Sequence, residues 1–322
     1  MLLQVLGTAA GGGLPQWNCA CPGCTGARAH PERRRLHASL AVRAGERHWY
    51  VVNATPDLGA QIEDCPALHP GPEPRRTPLA GVVLTDAELD HTLGIARLRE
   101  ARDGVEILAT APVRGAVRDG LRLDAVLGPY TAVRWRELPD GTGTEGAEGS
   151  EGAESEEGAE GVNPLVLEGG SGIRVSALPV SAKRPRYAAG QGGPDTPTWS
   201  VALRLHDPGT NATVLYAPAL AVWTDAFEQA AREADLVFVD GTFWDDDEPV
   251  RAGFTTRTAT AMGHLPISGP GGTAHRLARL PGRVLYTHLN NTNPLGDPHA
   301  EQHKQLAEWG LEAAADRMVI EL

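Results

Sequence analysis

The sequence predicts an α/β protein built as an αββα sandwich, with two packed mixed β-sheets flanked by helices. Two observations carry that expectation. Short apolar runs of strand length alternate along the chain with segments of helical spacing, the pattern of a layered α/β fold. The first of these runs follow one another before any clear helix appears, whereas a doubly wound nucleotide-binding fold would not usually begin so. A chain of 322 residues is long for one domain but ordinary for α/β sandwiches and barrels. Its 41% hydrophobic content supports a real core, so one domain over 1–322 is expected.

"LLQVLG" opens the chain as a buried strand ending at Gly7. "GTAAGGG" follows, without the G-x-G-x-x-G spacing, and Pro15, Trp17 and the cysteines stand where a helix should start. It reads as a tight loop in which Gly11, Gly12 and Gly13 tolerate positive φ, and not as a dinucleotide cradle. "ASLAVRAGERHWYVVNATPDL" reads as a hairpin, two β-rich runs flanking Ala-Gly-Glu with Asp57 closing the second. "LAGVVLT" is a buried strand, "TLGIARLRE" has helical spacing, "VEILAT" is a strand and "PVRGAVRDGL" a helix. "IRVSALPV", "SVALRLHD" and "ATVLYAP" are strands. "TDAFEQAAREA" is a helix with Thr224 as N-cap. "LVFVDGTF" and "RVLYTHL" are strands, "AHRLARL" belongs to a helix, and "HAEQHKQLAEWG" is a helix. "PRYAAGQGGPDTP" is a loop.

Residues 141–162 are Gly/Glu/Ala/Ser-rich, with seven glutamates and no Lys or Arg. They hold too little apolar surface to offset chain entropy, so a disordered surface insert within the single domain is expected. These glutamates account for seven of the twelve net negative charges, leaving a body near −5. Such mild acidity argues against a nucleic-acid binder, and Arg33-Arg34-Arg35 reads as solvated surface. No run of eighteen apolar residues exists, so no membrane span is expected. The N-terminus lacks the basic start and long apolar region of a secretory signal, and a cytoplasmic location is expected.

Chemistry-bearing residues gather in two places. Cys19, Cys21 and Cys24 lie within "CACPGC". Bridges among cysteines so close would be strained, so the cluster favours metal or redox chemistry. Cys65 stands alone as a small apolar residue. Elsewhere the candidates sit at strand ends: Asp90-His91 in "VVLTDAELDHTLG", His264 in "MGHLPISG", and His288 before "LNNTNP". Strand ends converge on one rim of a sheet, so ligands distant in sequence can meet there. One carboxylate and two imidazoles with open positions suit ferrous iron, or zinc with one open position. Taken singly, Asp90 also fits a helix N-cap, His91 and His288 fit hydrogen-bonded structural residues, and Asn290, Asn291 and Asn293 fit turn chemistry. Their joint placement favours a site.

"VLGTAAGGGLPQWNCACPGC", "TDAELDHTLG", "WSVALRL", "LYAP", "VDGTFWDDDE", "MGHLPISGPGG" and "HLNNTNP" together resemble the pyrroloquinoline quinone (PQQ) biosynthesis protein B family, an offshoot of the metallo-β-lactamase superfamily. The resemblance covers almost the whole chain apart from the acidic insert and implies a metallo-β-lactamase-like fold. In that superfamily the frame at 86–91 carries His-x-His-x-Asp-His. Here Asp86 and Glu88 occupy the places of the two leading histidines, and Ala219 stands where hydrolases often carry a bridging Asp. The resemblance therefore implies a site reduced to one metal, held by Asp90, His91 and His288. It implies Fe(II)-dependent oxygenation that hydroxylates the tyrosine ring of a cross-linked Glu–Tyr unit released from a precursor peptide.

On the same resemblance His264 is an acid or base, and Asp86 and Glu88 orient ligands or bind the substrate's amine. Asn290, Asn291, Asn293, Trp199, Ser200 and Arg257 are the expected substrate contacts. Cys19, Cys21 and Cys24 resemble a zinc knuckle of phosphodiesterase relatives, a structural Zn(II) site. Its fourth ligand in those relatives is a His at the place of Asn291, leaving Asn291, another residue or water. The partners implied are the PQQ precursor, O₂ and other PQQ-biosynthesis enzymes, with a homodimer as one assembly and no nucleic acid. Two other functions stand beside the oxygenase: a carrier that assists export of PQQ or its precursor, and a metallo-hydrolase, which the changes at 86, 88 and 219 disfavour.

Overall fold

The computed structural model describes residues 1–139, 164–190 and 196–322; the expected acidic insert at 141–162 lies outside the described residues. The strands in chain order are β1 (Leu2–Gly7), β2 (Ser39–Gly45), β3 (His48–Val52), β4 (Leu79–Val83), β5 (Val105–Ala109), β6 (Val133–Glu137), β7 (Leu165–Val166), β8 (Arg174–Ser181), β9 (Ser200–Asp207), β10 (Ala212–Ala217), β11 (Leu236–Asp240), β12 (Arg283–Thr287), β13 (Glu312–Ala313) and β14 (Val319–Glu321). They form two seven-stranded sheets, ordered β14-β1-β2-β3-β4-β5-β6 and β13-β12-β11-β10-β9-β8-β7. In the first sheet the pairs from β14 to β3 are antiparallel and those from β3 to β6 parallel. The second repeats the arrangement: antiparallel from β7 to β10, parallel from β10 to β13. These are the expected two mixed sheets.

Three apolar layers follow from the alternation of side chains along strands. Leu3, Leu40, Tyr50, Val201, Leu203 and Phe238 meet between the sheets. Val51, Val82 and Ile107 on the outer face of the first sheet pack under Leu58, Ile95 and Val113. Leu215, Val237 and Tyr286 on the outer face of the second sheet pack under Phe227, Leu277 and Leu306. Each such fully buried side chain contributes about 1.5–3 kcal/mol relative to exposure, so the fold rests on these layers. The helix Asp225–Glu233 has the expected cap: Thr224 Oγ1 accepts from the Phe227 N–H at 3.1 Å.

Some expectations change in detail. "TLGIARLRE" forms a 3₁₀ segment, Leu93–Glu100. Gly94 donates its N–H to Ala54 O at 2.8 Å, and a Cβ there would lie 2.0 Å from Thr55 O, so the chain is pinned to a neighbouring loop and an α-helical ladder cannot run through it. "PVRGAVRDGL" divides into a helix, Ala111–Gly115, and a π turn, Ala116–Gly120. In the glycine loop only Gly13 has positive φ. Gly11 matters for a different reason: a Cβ there would stand 3.1 Å from Asp90 Oδ2 and press on that carboxylate. Among the described residues, no helix is long and apolar enough to cross a membrane.

The fold brings one rim of both sheets together. The Val201 N–H donates to Thr85 O at 2.8 Å, tying the start of β9 to the turn after β4. Leu289, just past β12, donates its N–H to Thr8 O at 2.7 Å, bringing the loop after β1 to the same rim.

Candidate metal centre

The turn after β4 places Asp86, Glu88, Asp90 and His91, and the turn after β12 places His288. His288 has φ +59°, a left-handed conformation that is costly for a residue with a Cβ and concentrates at functional sites. Asp90 Oδ2 lies 3.6 Å from His91 Nε2 and 3.6 Å from His288 Nε2. Ligand atoms of the three residues all fall within 4.8 Å of one another. Donors about 2.1 Å from a tetrahedral zinc lie roughly 3.4 Å apart, so the spacing fits a metal. His91 Nε2 is buried and has no hydrogen-bond partner. A buried polar atom left without a partner costs stability unless something binds it.

The opposite edge of each imidazole is held. The His91 Nδ1–H donates to Asp86 Oδ2 at 2.8 Å. Asp86 Oδ2 also accepts from Thr85 Oγ1 at 2.8 Å, which in turn accepts from Asn53 Nδ2 at 2.9 Å. The His288 Nδ1–H donates to Thr242 Oγ1 at 2.8 Å, and Thr242 Oγ1 donates to Asp240 Oδ1 at 2.6 Å. Both rings are thereby held by Nδ1 and turn Nε2 toward Asp90, the outer arrangement found behind metal-bound histidines. Asp86 thus faces the back of His91. Although it lines the cavity, its carboxylate is engaged with His91 Nδ1.

His264 completes a second group with Asp240 and His288. Its Nδ1–H donates to Asp240 Oδ2 at 2.7 Å, and its ring stacks on His288 with centroids 5.7 Å apart. A 2.7 Å contact through Nδ1 is a hydrogen bond, so this group orients the imidazoles and leaves His264 Nε2 available. Burial disfavours the Asp86 and Asp240 carboxylates. His91 beside Asp86 and His264 beside Asp240 outweigh it and hold both below the usual carboxylate range. Burial lowers His91 as well, but Asp86 and Asp90 dominate and push it up to about 9. Burial holds His288 below its ordinary value. Glu88 is raised, by burial first and then by Asp86.

A cavity of about 260 Å³ opens over these groups, lined by Gly11, Gly12, Ser181, Lys183, Ser200, Ala219, Phe243, Phe254, Met262 and Asn290 besides the residues of the site. Of the expected substrate contacts, Ser200 and Asn290 line this cavity. Four other expected contacts do not line it. Trp199 packs into the outer layer of the first sheet with Arg184 5.3 Å over its ring, since neighbours on a strand face opposite ways. Arg257 is exposed and its guanidinium donates to Ala261 O. Asn293 shapes the turn, donating to Gly241 O at 2.7 Å and accepting from the Leu295 N–H at 2.9 Å. Asn291 turns to the cysteines. Ala219 leaves no carboxylate at the hydrolase bridging position.

Asp240, Thr242, Lys183 and the pair His37–Asp57 escaped sequence reading. Asp240 carried a signal, an acid ending the apolar run "LVFVD", the same cue that marked Asp90. His37 Nδ1 lies 2.5 Å from Asp57 Oδ2 and its Nε2 3.2 Å from Gly11 O, holding the glycine loop over Asp90.

The cysteine cluster forms a second centre. Cys19, Cys21 and Cys24 bring their sulfurs within 4.8 Å of one another. The Asn291 amide donates to Cys19 Sγ and Cys21 Sγ at 3.3 Å each, so its side chain lies against two of the three sulfurs. Burial disfavours the Cys21 thiolate. Hydrogen bonds from the Cys24 N–H, Asn291 and Cys19 outweigh it and lower its pKa, while burial pushes Cys24 up to about 11. Cys65 is buried and donates to Gln4 Oε1 at 3.1 Å, an ordinary core residue.

The profile of the Beta-lactamase superfamily domain matches residues 48–289. The chain is 38% identical over 326 residues to the coenzyme PQQ synthesis protein B of Azoarcus sp. strain BH72, covering all of both chains. It is 38% identical over 324 residues to that of Cupriavidus necator, covering 99% of both. Among solved structures it resembles zinc-bound PqqB from Methylobacterium extorquens, with TM-score 0.84 and 29% identity over all of both chains. A diphosphatase from the PhnP family shares the fold at TM-score 0.65 and 17% identity, covering 100% of this chain and 97% of that one.

Proposed function

Because the chain belongs to the β-lactamase superfamily and, within it, to the coenzyme PQQ synthesis protein B family, we propose that it is a metal-dependent oxygenase of PQQ biosynthesis that hydroxylates the tyrosine ring of a cross-linked Glu–Tyr precursor. One observation carries the reading: ligand atoms of three residues converge at the orphaned His91 Nε2, while two of the positions that would hold a second metal do not offer a ligand to it. Asp86 orients His91, and Ala219 offers no bridging oxygen. Two metals clamping attacking and leaving oxygens, as hydrolysis on this fold uses, are not supported by such a set.

Asp90, His91 and His288 would hold ferrous iron, a facial set with open positions. Iron bound there supplies the redox chemistry that activates O₂ beside the substrate. The balanced change converts a ring C–H to C–OH with one oxygen atom of O₂; the other leaves as water, with two electrons and two protons from an external reductant. The residues of the chain do the rest. His264 Nε2, backed by Asp240, takes or returns the proton of the phenolic oxygen. Phe243, Phe254 and Met262 wall the ring from water. Cys19, Cys21 and Cys24, with Asn291 against two of the sulfurs, are assigned to structural zinc.

Anaerobic iron loading followed by O₂ uptake with the mono- and dihydroxylated cross-linked amino acids tests the reading. Wild type should consume O₂ only with substrate. His288→Ala should lose iron and O₂ uptake together, whereas His264→Ala should keep iron and slow turnover by about 10²–10⁴-fold. Full iron and O₂ uptake in His288→Ala would sink the mechanism. Precursor binding without any O₂ uptake by the iron-loaded wild type would favour the carrier.

A further inference from the structure

Within the cavity, the charges divide unevenly. Asp86, Glu88 and Asp90 supply carboxylates, and Lys183 is the single Lys or Arg among the described residues that line it. Asp86 and Asp90 are occupied with His91 and His288. Glu88 is not: its Oε1 lies 3.9 Å from Lys183 Nζ, beyond hydrogen-bond distance, with the two side chains 41% and 48% exposed. A pair so open and solvated contributes little to folding, so parting it costs little. The same cavity is lined by Ser200, 6% exposed, whose backbone bridges to Asp86 and whose hydroxyl is buried without a partner. The backbone turn that carries Glu88 is itself anchored, since Tyr187 Oη donates to Ala87 O at 2.7 Å. The segment carrying Lys183 is anchored too, by its N–H donating to Ser181 Oγ at 3.1 Å.

From this we infer that Glu88, Lys183 and Ser200 form a subsite for the zwitterionic head of an α-amino acid. The ammonium lies on Glu88, the carboxylate on Lys183, and the unpartnered Ser200 hydroxyl gives a further polar contact. A zwitterion inserted between the two side chains exchanges one loose, solvated ion pair for two charge-assisted ones, which are the stronger kind of hydrogen bond. The attached aromatic ring is then directed over the metal ligands that line the same cavity. The inference rests on the reading that this cavity takes the cross-linked precursor, and to the contacts expected of Glu88 and Ser200 it adds Lys183 as the residue that selects for the carboxylate of the amino-acid head.

The test uses binding, not turnover. Zinc-loaded protein is titrated calorimetrically without O₂ with L-3,4-dihydroxyphenylalanine, with dopamine, which lacks the carboxylate, and with 3-(3,4-dihydroxyphenyl)propionic acid, which lacks the amine. Wild type should bind the amino acid about tenfold or more tightly than either analogue, the effect of one charge-assisted contact. Lys183→Met should erase the preference over dopamine and keep the preference over the propionic acid. Glu88→Gln should do the reverse, and Lys183→Arg should retain both. Metal content measured on each variant reports whether the site is intact. Equal preference in wild type and Lys183→Met, or no binding of the amino acid by wild type at millimolar concentration, overturns the subsite. Failed O₂ uptake by the iron-loaded enzyme would sink the oxygenase reading and leave this binding result standing.

Discussion

Replacing Asp86 by Asn keeps the side chain's shape and removes its charge. Asp86 is buried and accepts from His91 Nδ1, Thr85 Oγ1 and the Glu88 N–H. With Asn, His91 Nδ1–H can still meet an amide oxygen, so the ring keeps its orientation. What changes is the strength of the bond. A hydrogen bond to a charged group is worth about 1.5–3 kcal/mol and one between neutral groups about 0.5–1.5 kcal/mol. The difference, about 1–1.5 kcal/mol, is roughly five- to fifteen-fold in an equilibrium constant. Loss of a partner behind a metal-bound His costs about 10–100-fold in affinity, so a weakening of about tenfold is expected. The assay is competition for Fe(II) against a chelator of known affinity, at one pH and without oxygen. Asp86→Asn should weaken iron binding while still reaching the wild-type stoichiometry at saturation, and His91→Ala should not bind at that site. An Asp86→Asn protein with wild-type affinity would refute the orienting role. Asp86→His, which restores one of the two missing motif histidines, would remove the acceptor behind His91 and should also weaken this iron.

Three further outcomes follow from other places in the molecule. Cys21→Ala should release one zinc and lower the melting temperature while leaving iron in whatever protein stays folded; retained zinc and stability would end the knuckle assignment. Asn291→His places an imidazole where the amide now faces Cys19 and Cys21 and should tighten zinc in a chelator competition, with unchanged affinity pointing to another fourth ligand. Glu248 is buried, accepting from Thr292 Oγ1 and the Trp244 N–H at 2.6 Å each, and burial pushes its pKa up to about 7 from 4.5. Between those values the folded state holds a proton that the unfolded chain has released. The stability it contributes is therefore full below about pH 4.5 and is lost as pH rises through about 7, a change on the order of 3 kcal/mol. Glu248→Gln removes that titration. The wild-type unfolding free energy should thus fall relative to the variant's from acid to neutral pH, and parallel curves would contradict the burial argument.

The layered α/β class, most strands and the three cysteines as a cluster were legible in the sequence, because period-2 apolar runs, helix caps and ligand spacing are local patterns. His288 was legible for the same reason, as a polar residue at the end of an apolar run, and Asp90-His91 as the pair just beyond another; His264 instead follows the short helix Ala259–Met262. Edge strands such as β6 and β14 were not. β6 carries charged Arg134, Arg136 and Glu137 between half-buried residues, and three-residue β14 is a strand only because β1 pairs with it, Leu3 opposite Ile320. The division of labour in the site was also closed to sequence reading. Asp86 and Asp90 are both acids in one turn, four residues apart, and only the tertiary structure turns one behind His91 and the other toward His288. Asp240 and Thr242 fix two imidazoles from 22 to 46 residues away, a distance no local pattern spans. Which side chain faces the cavity depends on which elements share a rim, and that is set by long-range strand pairing and the packing of two sheets. The residue types able to bind a metal are therefore a property of the sequence, and their roles are a property of the fold.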